Sequence, residues 1–413
     1  IMKTLQTPGD TGWFTKDRFG LFIHWGLYAM GARHEWLMSK EKITPEDYSK
    51  YFLRLDPDLY DPEAWAESAS KAGMKYVVVT TKHHEGFCLW DSKFTEYKAP
   101  NTPAGRDLLR PLVDAFRKRG MRIGFYYSLL DWHHPHYVVD RLTHPQREVS
   151  DEELADLNKN RDQSIYAKYM RDQVRELLTE FGQIDALWFD FSMVWKENLE
   201  TYSRNDFVHV KGREAWESEK LYKMIRELAP NIILTDRLDL DLPLSGGDIK
   251  TPEQAQPRSW VHVEHEGKSV PVTWEACQTF SGSWGYFRDE QTWRSPRQLI
   301  TTLIDSVSKG GNLLLNVGPT ARGEFDARAT ARLDGFARWM HHHSRSIYNC
   351  TQAPSEFTCP EDCRLTYNPE TNRLYVHLLN WPYALLHLEG EAYVNQVEYA
   401  QLLHDGSELL GPN

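Results

Sequence analysis

The stretch at residues 184–192 reads Ile-Asp-Ala-Leu-Trp-Phe-Asp-Phe-Ser, an apolar and aromatic run interrupted near its end by one carboxylate, Asp190. It follows an amphipathic stretch at 164–181, and this order predicts a buried parallel strand whose outer face is covered by a helix. Asp190 would then lie at the carboxyl end of the strand, where closed parallel barrels build their active sites. A single strand-terminal Asp is more often a cap or an ion-pair partner, so its role depends on the rest of the chain.

Strand-like and helix-like segments alternate from the first residues to about residue 345. Apolar segments predict strands that end on His24 and that cover 76–81, 122–127, 184–190, 232–236 and 312–319. Amphipathic segments predict helices at 62–72, 106–119, 164–181, 217–228, 295–309 and 326–344. This order predicts an α/β fold, a (β/α)8-like (TIM-type) barrel, because no Gly-x-Gly-x-x-Gly loop follows the first strand as an open dinucleotide-binding sheet would require.

Two segments between these elements lack a clear pattern. The charged segment 138–163 is predicted to be a mobile loop over the barrel mouth, with its charges in solvent. The segment 246–278 is predicted to be rich in loops, with short strands within it.

The pattern changes after Tyr348 to short alternating strands, predicted at 373–379 and 392–400. This predicts two domains, a catalytic barrel at 1–345 and a small C-terminal β-sandwich-like domain at 346–413. Because so short a segment is small for a sandwich, it stays open that this domain is incomplete and that the chain forms a homo-oligomer.

Charge and composition narrow the class of partner. The 48 Lys and Arg residues against 59 Asp and Glu give a net charge of −11, which argues against nucleic acid or an anionic membrane as a partner. The 15 Trp and 20 Tyr residues supply flat faces that stack on sugars. No run of eighteen apolar residues and no signal-peptide core is present, which predicts a cytoplasmic location. A secreted form with its signal removed stays open, because an Ile precedes the Met.

The sequence does not favour a metal site. The five cysteines match no zinc spacing, and Cys350, Cys359 and Cys363 with the nearby 341–343 histidines are a minor alternative. His24, His83, His84 and Asp190 are the rival metal-ligand set, but the adjacent His83 and His84 would point apart on a continuous strand.

The residues at the strand ends form one set with a shared chemistry. They supply carboxylates, neutral hydrogen-bonding groups and aromatic walls, which are the groups that a glycoside hydrolase needs. The set comprises His24, Glu35, Trp36, His83, His84, Tyr127, Asp190, Arg237, Glu253, Glu275 and Trp284.

Eight motifs in register over residues 13–319 carry a resemblance to a known family. They are Arg-Phe-Gly-Leu-Phe-Ile-His-Trp-Gly, His-Glu-Trp, Lys-His-His-Glu-Gly-Phe, Tyr-Tyr-Ser, Trp-Phe-Asp, Lys-Thr-Pro-Glu-Gln, Trp-Glu-Ala-Cys with Gly-Ser-Trp-Gly-Tyr, and Asn-Leu-Leu-Leu-Asn-Val-Gly-Pro. The chain resembles the alpha-L-fucosidases of glycoside hydrolase family 29. The resemblance implies a retaining exo-glycosidase that releases terminal alpha-L-fucose from glycans through a covalent fucosyl-Asp intermediate, with no metal or organic cofactor.

The resemblance also implies roles for individual residues. Asp190 would be the nucleophile and Glu253 the general acid/base. The fucose hydroxyls would be held by His24, Glu35, Trp36, His83, His84, Tyr127 and Arg237, with Trp284 at the methyl side. The sequence departs from the family at Phe191, where Trp-Phe-Asp is usually followed by Gly.

Several alternatives stay open at this point. Glu275 competes with Glu253 as the acid, and Tyr126 competes with Tyr127 as the sugar contact. A retaining glycosidase for another galactose-like sugar and a non-catalytic carbohydrate-binding protein are the competing functions.

Overall fold

The computed structural model describes residues 2–410, and residues 19–317 contain a sheet of parallel strands separated by helices. The strands in chain order are β1 Phe19–Ile23, β2 Tyr76–Lys82, β3 Arg122–Ser128, β4 Ala186–Asp190, β5 Ile233–Leu234, β6 His262–His265, β7 Lys268–Pro271, β8 Glu275–Thr279 and β9 Asn312–Val317. Seven of them form one sheet in the order β5-β4-β3-β2-β1-β9-β8, and β6 and β7 form a separate hairpin. Buried residues fill β1, β2, β8 and β9 completely, as expected for parallel strands covered on both faces.

The gap between the edge strands β5 and β8 is closed by an irregular segment at 248–254. Ile249 bridges to Thr235 beside β5, and Lys250 and Glu253 bridge in parallel to Trp274 and Cys277 on the other side. Pro252 has no N–H to donate, so a regular strand cannot form here. The segment takes the place of the eighth strand, and the predicted (β/α)8-like barrel with a C-terminal domain is confirmed.

The helices begin where the sequence supplies caps. Asp61 accepts from the backbone N–H of Ala64 before the helix Pro62–Lys71, and Ser295 forms a capping box with Gln298 before Pro296–Ser308. The α-helices are Gly12–Asp17, Tyr28–Gly31, Leu37–Lys40, Pro45–Phe52, Pro62–Lys71, Arg110–Lys118, Asp151–Asn158, Gln163–Glu180, Lys196–Thr201, Arg213–Trp216, Ser218–Leu228, Pro296–Ser308, Ala327–His343 and Glu391–Gln396. Short 3-10 helices lie at Ala99–Asn101, Pro243–Gly246 and Ser344–Ser346.

Two hydrophobic cores result from this arrangement. The larger one lies between the strands and the surrounding helices, and the smaller one fills the barrel interior. Phe14, Tyr76 and Trp188 belong to the inner core, where Phe14 and Tyr76 pack at 5.5 Å between ring centroids. The inner core closes the amino-terminal end of the barrel and leaves the carboxyl end open for a site.

Two of the predictions about local structure are wrong. The segment 138–163 contains the helix Asp151–Asn158, and the buried Asp140 carboxylate accepts from the backbone N–H groups of Leu142 and Thr143. Its charges therefore also hold the segment together. The predicted strand at 392–400 is in fact the helix Glu391–Gln396 followed by irregular chain, because alternation over so few residues also fits a short amphipathic helix.

The C-terminal segment forms a small antiparallel sheet of β10 Thr351–Gln352, β11 Cys363–Asn368 and β12 Arg373–Leu378. Arg364 Nε lies 2.6 Å from Asp305 Oδ1 and ties β11 to the helix Pro296–Ser308. The division at residue 345 stays a prediction. No helix among residues 2–410 is both long and apolar enough to cross a membrane.

Candidate active site

The carboxyl ends of the barrel strands surround a pocket of about 370 Å³. Eight of the eleven residues that the sequence singles out line it, namely His24, Glu35, Trp36, His83, His84, Asp190, Glu253 and Trp284. Arg237 contacts two of these residues, and Tyr127 contacts none of them through its hydroxyl. Residues from seven separate parts of the chain therefore meet at one edge of the barrel, as parallel strands require.

Asp190 is the last residue of β4 and lies at the bottom of the pocket. Its Oδ2 accepts from the Tyr126 hydroxyl at 2.8 Å, and its Oδ1 pairs with Arg237 Nη1 at 3.0 Å. Burial raises the pKa of Asp190 to about 6, against the opposing effect of Arg237 and with a further increase from Glu253. The carboxylate is thus charged at neutral pH, with a donor on each of its two oxygens.

Glu253 lies near the end of the segment that closes the barrel and contacts the same guanidinium, that of Arg237, as Asp190 does. Its Oε2 is 3.4 Å from Arg237 Nη2, and its side chain is 43% exposed against 11% for Asp190. One guanidinium therefore contacts both carboxylates, the buried one and the one at the mouth of the pocket. Glycoside hydrolysis uses a pair of carboxyl groups that flank the scissile bond.

Glu275 lies outside this pocket. It is the first residue of β8, is 1% exposed, and accepts from the Tyr76 hydroxyl within the inner core. Burial raises its pKa to about 8. Glu275 is therefore a protonated group at the amino-terminal end of the barrel, and of these two glutamates only Glu253 lines the pocket.

The expectation that Tyr127 faces the sugar is wrong, and its neighbour Tyr126 lines the pocket instead. The register of β3 with β4 pairs Ser128 with Asp190 and Tyr126 with Trp188, so these side chains share the inner face. Tyr127 points to the outer core, where its hydroxyl donates to Gln173 Oε1 at 2.7 Å. Side chains alternate along a strand, so one of two adjacent tyrosines must point away.

His83 and His84 both reach the pocket because β2 ends at Lys82. A turn closed by the Gly86 N–H donating to the His83 carbonyl at 3.0 Å follows, and the two rings lie 3.9 Å apart. The divergence expected of a continuous strand does not arise. Among residues 2–410, no group of three or more His, Cys, Asp or Glu side chains is arranged to hold a metal ion.

Hydrogen bonds fix the tautomer of His84. Ser128 Oγ donates to the Leu130 carbonyl at 2.9 Å, so it accepts from His84 Nδ1 at 2.6 Å, and Nδ1 carries the proton. Burial holds the pKa of His84 well below its usual value, so the ring is neutral and Nε2 is an acceptor. This Nε2 has no hydrogen-bond partner in the part of the chain that the structure describes, and it lies 3.9 Å from Asp190 Oδ2.

The tautomer of His24, which follows the neighbouring strand β1, is fixed in the same way. Asn316 Nδ2 donates to the Trp284 carbonyl at 2.7 Å, so its Oδ1 accepts from His24 Nδ1 at 2.6 Å. Burial lowers the pKa of His24 to about 3. Both histidines therefore present neutral Nε2 acceptors, which suit hydroxyl donors and do not suit anions.

The loops after β1 and β8 complete the walls. Glu35 Oε2 accepts from the Gly285 N–H at 2.9 Å, which leaves its other oxygen for a ligand, and burial raises its pKa. Trp36 and Trp284 are partly exposed and lie on two sides of the opening, against His84 and His24 respectively. The pocket thus combines hydroxyl-binding groups with flat apolar faces.

The sequence reasoning did not select Trp188, which forms the floor. Its indole stacks on Tyr126 at 5.7 Å and lies under Arg237 at 5.0 Å. Its position two residues before Asp190, on the same face of β4, was the available signal. Phe22, Lys40, Tyr126, Phe191, Gln254 and Gly282 also line the pocket.

Comparison with known proteins agrees with this geometry. A family model described as alpha-L-fucosidase matches residues 3–345. The structure of alpha-L-fucosidase isoenzyme 1 from Paenibacillus thiaminolyticus superposes with a TM-score of 0.86 at 44% identity, over 96% of this chain and 89% of that one. The chain belongs to the alpha-L-fucosidase family.

Two further relatives of this family extend the comparison. Plasma alpha-L-fucosidase of Rattus norvegicus is 27% identical over 97% of this chain and 82% of its own length. A Bacteroides thetaiotaomicron alpha-L-fucosidase of glycoside hydrolase family 29 superposes with a TM-score of 0.79 at 28% identity, over 99% of this chain and 91% of that one. That structure is a covalent intermediate trapped with 2-fluoro-fucosyl fluoride in a glutamate-to-glutamine mutant. The predicted family, and with it an alpha-L-fucosidase type of glycoside hydrolase, is confirmed.

Proposed function

We propose that the protein hydrolyses terminal alpha-L-fucose from fucosylated glycans with retention of anomeric configuration, using Asp190 as nucleophile and Glu253 as general acid/base. The observation that carries the proposal is the single guanidinium of Arg237 in contact with both carboxylates, one buried and one at the mouth. A retaining enzyme needs its two carboxyl groups on opposite sides of the scissile bond, about 5 to 5.5 Å apart.

In the first step the Asp190 carboxylate attacks the anomeric carbon while protonated Glu253 gives its proton to the departing oxygen. A covalent fucosyl ester on Asp190 and the free aglycone result. In the second step Glu253, now ionised, removes a proton from water, and the resulting attack on the anomeric carbon releases fucose and the Asp190 carboxylate. Arg237 and Tyr126 stabilise the charge that returns to Asp190 each time.

The walls of the pocket support an exo mode of action. Trp188 closes the pocket below, so a sugar enters with its non-reducing side towards His24, His83 and Glu35, and its leaving group stays near the exposed Glu253. Neutral imidazole acceptors and the Glu35 carboxylate suit the hydroxyls of an uncharged sugar. The apolar face that Phe22 and Trp284 form suits a methyl group.

The trapped intermediate in the Bacteroides thetaiotaomicron relative supports a covalent route for the family. The equivalent event in this chain would take place on the carboxylate of Asp190, because Asp190 is the carboxylate at the bottom of the pocket.

A proton NMR time course with aryl glycosides tests the proposal. We expect aryl alpha-L-fucoside to be cleaved with the alpha anomer of fucose as the first product, which then mutarotates. The beta anomer as first product would rule out retention. Cleavage of an alpha-galactoside instead would favour the alternative glycosidase, and binding without cleavage would favour a carbohydrate-binding protein.

A further inference from the structure

Phe191 follows Asp190 in an unusual backbone conformation. Its φ is +71°, in the left-handed region that a bulky side chain rarely adopts. Such strain persists only where the surrounding structure enforces it, and it concentrates at functional sites. The conformation therefore indicates that the direction in which the chain leaves Asp190 matters for the site.

The ring of Phe191 packs against two residues of the pocket. It lies 5.1 Å from the His84 ring at 89° and 5.3 Å from the Trp36 ring at 56°. Trp36 in turn lies 5.0 Å from His84, so each of the three rings contacts the other two, edge-to-face where His84 is involved. A strand continued in the extended conformation would send the side chain at 191 to the other face, away from these rings.

The contact matters because hydrogen bonding holds the His84 ring at one atom only. Its Nδ1 is fixed by Ser128 Oγ, and hydrogen bonding alone leaves the ring free to tilt about that bond. Phe191 and Trp36, together with Trp132 at 5.4 Å and His83 at 3.9 Å, confine the ring. The confined ring keeps Nε2 3.9 Å from Asp190 Oδ2.

We propose that Phe191 is a positioning residue, whose left-handed backbone brings its ring against His84 so that Nε2 faces the hydroxyl of the bound sugar nearest to Asp190. This inference rests on the proposed function, in which Asp190 attacks a sugar in this pocket.

The test compares Phe191→Gly, Phe191→Leu and His84→Ala with an activated aryl alpha-L-fucoside. Glycine adopts a φ of +71° without strain, so Phe191→Gly keeps the turn and removes only the ring. We expect kcat/KM to fall by roughly tenfold or more, since small misplacements of positioned groups have effects of this size. Phe191→Leu should recover part of the loss. The matched control is Leu244→Gly, which relaxes another bulky residue with positive φ outside the pocket and should leave kcat/KM unchanged.

The decisive measurement is the double variant. If Phe191 acts through His84, Phe191→Gly should cost less than about twofold in a His84→Ala background, whereas independent roles would give additive losses. Additive losses, or a Phe191→Gly variant that keeps wild-type kcat/KM, would overturn the positioning role. Should Phe191→Gly fail to fold, Phe191→Asn, which also tolerates a positive φ, enters the same cycle.

The variant Asp190→Gly separates the two proposals. If it stays active, the proposed function fails whatever happens at Phe191. If it is inactive while Phe191→Gly is fully active, only the positioning role of Phe191 is overturned.

Discussion

The hydroxyl of Tyr126 lies 2.8 Å from Oδ2 of Asp190, whereas the adjacent Tyr127 points to the opposite side of β3. The neighbours form a matched pair, since each loses one hydrogen bond when changed to Phe. We expect Tyr126→Phe to lower kcat/KM by roughly tenfold to a hundredfold, the size of a hydrogen bond to a charged group. Tyr127→Phe should keep activity within about twofold and lose only stability, with the Gln173 amide oxygen left unpaired. Equal activity losses would contradict this assignment of the two side chains.

The acidic side of the pH profile should report Asp190. Burial raises its pKa to about 6 and Arg237 opposes this increase, so kcat/KM should fall as the pH drops below about 6. Replacing Arg237 by Met removes the group that lowers this pKa, and the acidic limb should then move to higher pH. Arg213→Met, which breaks an ion pair with Asp241 outside the pocket, serves as the control with an unmoved limb. An acidic limb that stays in place in Arg237→Met would contradict the pairing.

Glu253 and Glu275 should respond differently to substitution. Glu253→Ala should slow substrates with poor leaving groups far more than activated aryl fucosides, because an activated phenolate departs with little protonation. Azide should then give the alpha-fucosyl azide, since the negative charge on that face is removed. Glu275→Gln keeps a neutral group beside Tyr76, as the protonated acid does, so its activity should stay near wild type. Leaving-group dependence and azide rescue in a Glu275 variant alone would assign the acid to Glu275.

The sequence predicted the barrel because helix and strand periods and strand-end residues are local signals. Asp190, His24 and the His83-His84 pair were placed correctly at strand ends. The choice between Tyr126 and Tyr127 depended on the register between β3 and β4, which no local pattern contains.

The choice between Glu253 and Glu275 was equally hidden from local patterns. Both lie in the same run of loops, but residues 249–253 rise between the edge strands to the mouth of the barrel, whereas Glu275 begins β8 at the opposite end. How far along the barrel axis a residue lies is set by the closed sheet, so local sequence patterns could not distinguish the two glutamates. The left-handed backbone of Phe191 could not be predicted either. The sequence shows only that Phe stands where the family usually has Gly.

Ionised Asp190 should destabilise the folded protein. Its pKa is about 6 in the folded state against an ordinary value of 3.8, so the folded state binds the proton more tightly than the unfolded one. The stabilisation that this tighter proton binding gives the folded state is present below pH 3.8 and is lost as the pH rises through 6. Asp190→Asn should therefore be more stable than wild type at pH 7, by up to about 3 kcal/mol, and the difference should vanish near pH 4.

Denaturant unfolding at both pH values measures this difference. The control is Asp241→Asn, which removes an exposed carboxylate whose pKa the Arg213 pair lowers, so this substitution should not stabilise at pH 7. A stability difference between Asp190→Asn and wild type that does not change with pH would contradict the burial of a charge at Asp190.

Covalent attachment of the sugar to Asp190 can be measured by mass spectrometry. The protein is incubated with 2-fluoro-fucosyl fluoride, using Glu253→Gln to slow release, and is then analysed intact and after peptic digestion. We expect one 2-fluoro-fucosyl group per chain, on the peptide that contains Asp190, and no adduct in Asp190→Gly. A label on any other residue, or none under conditions in which the substrate is turned over, would contradict the proposed mechanism.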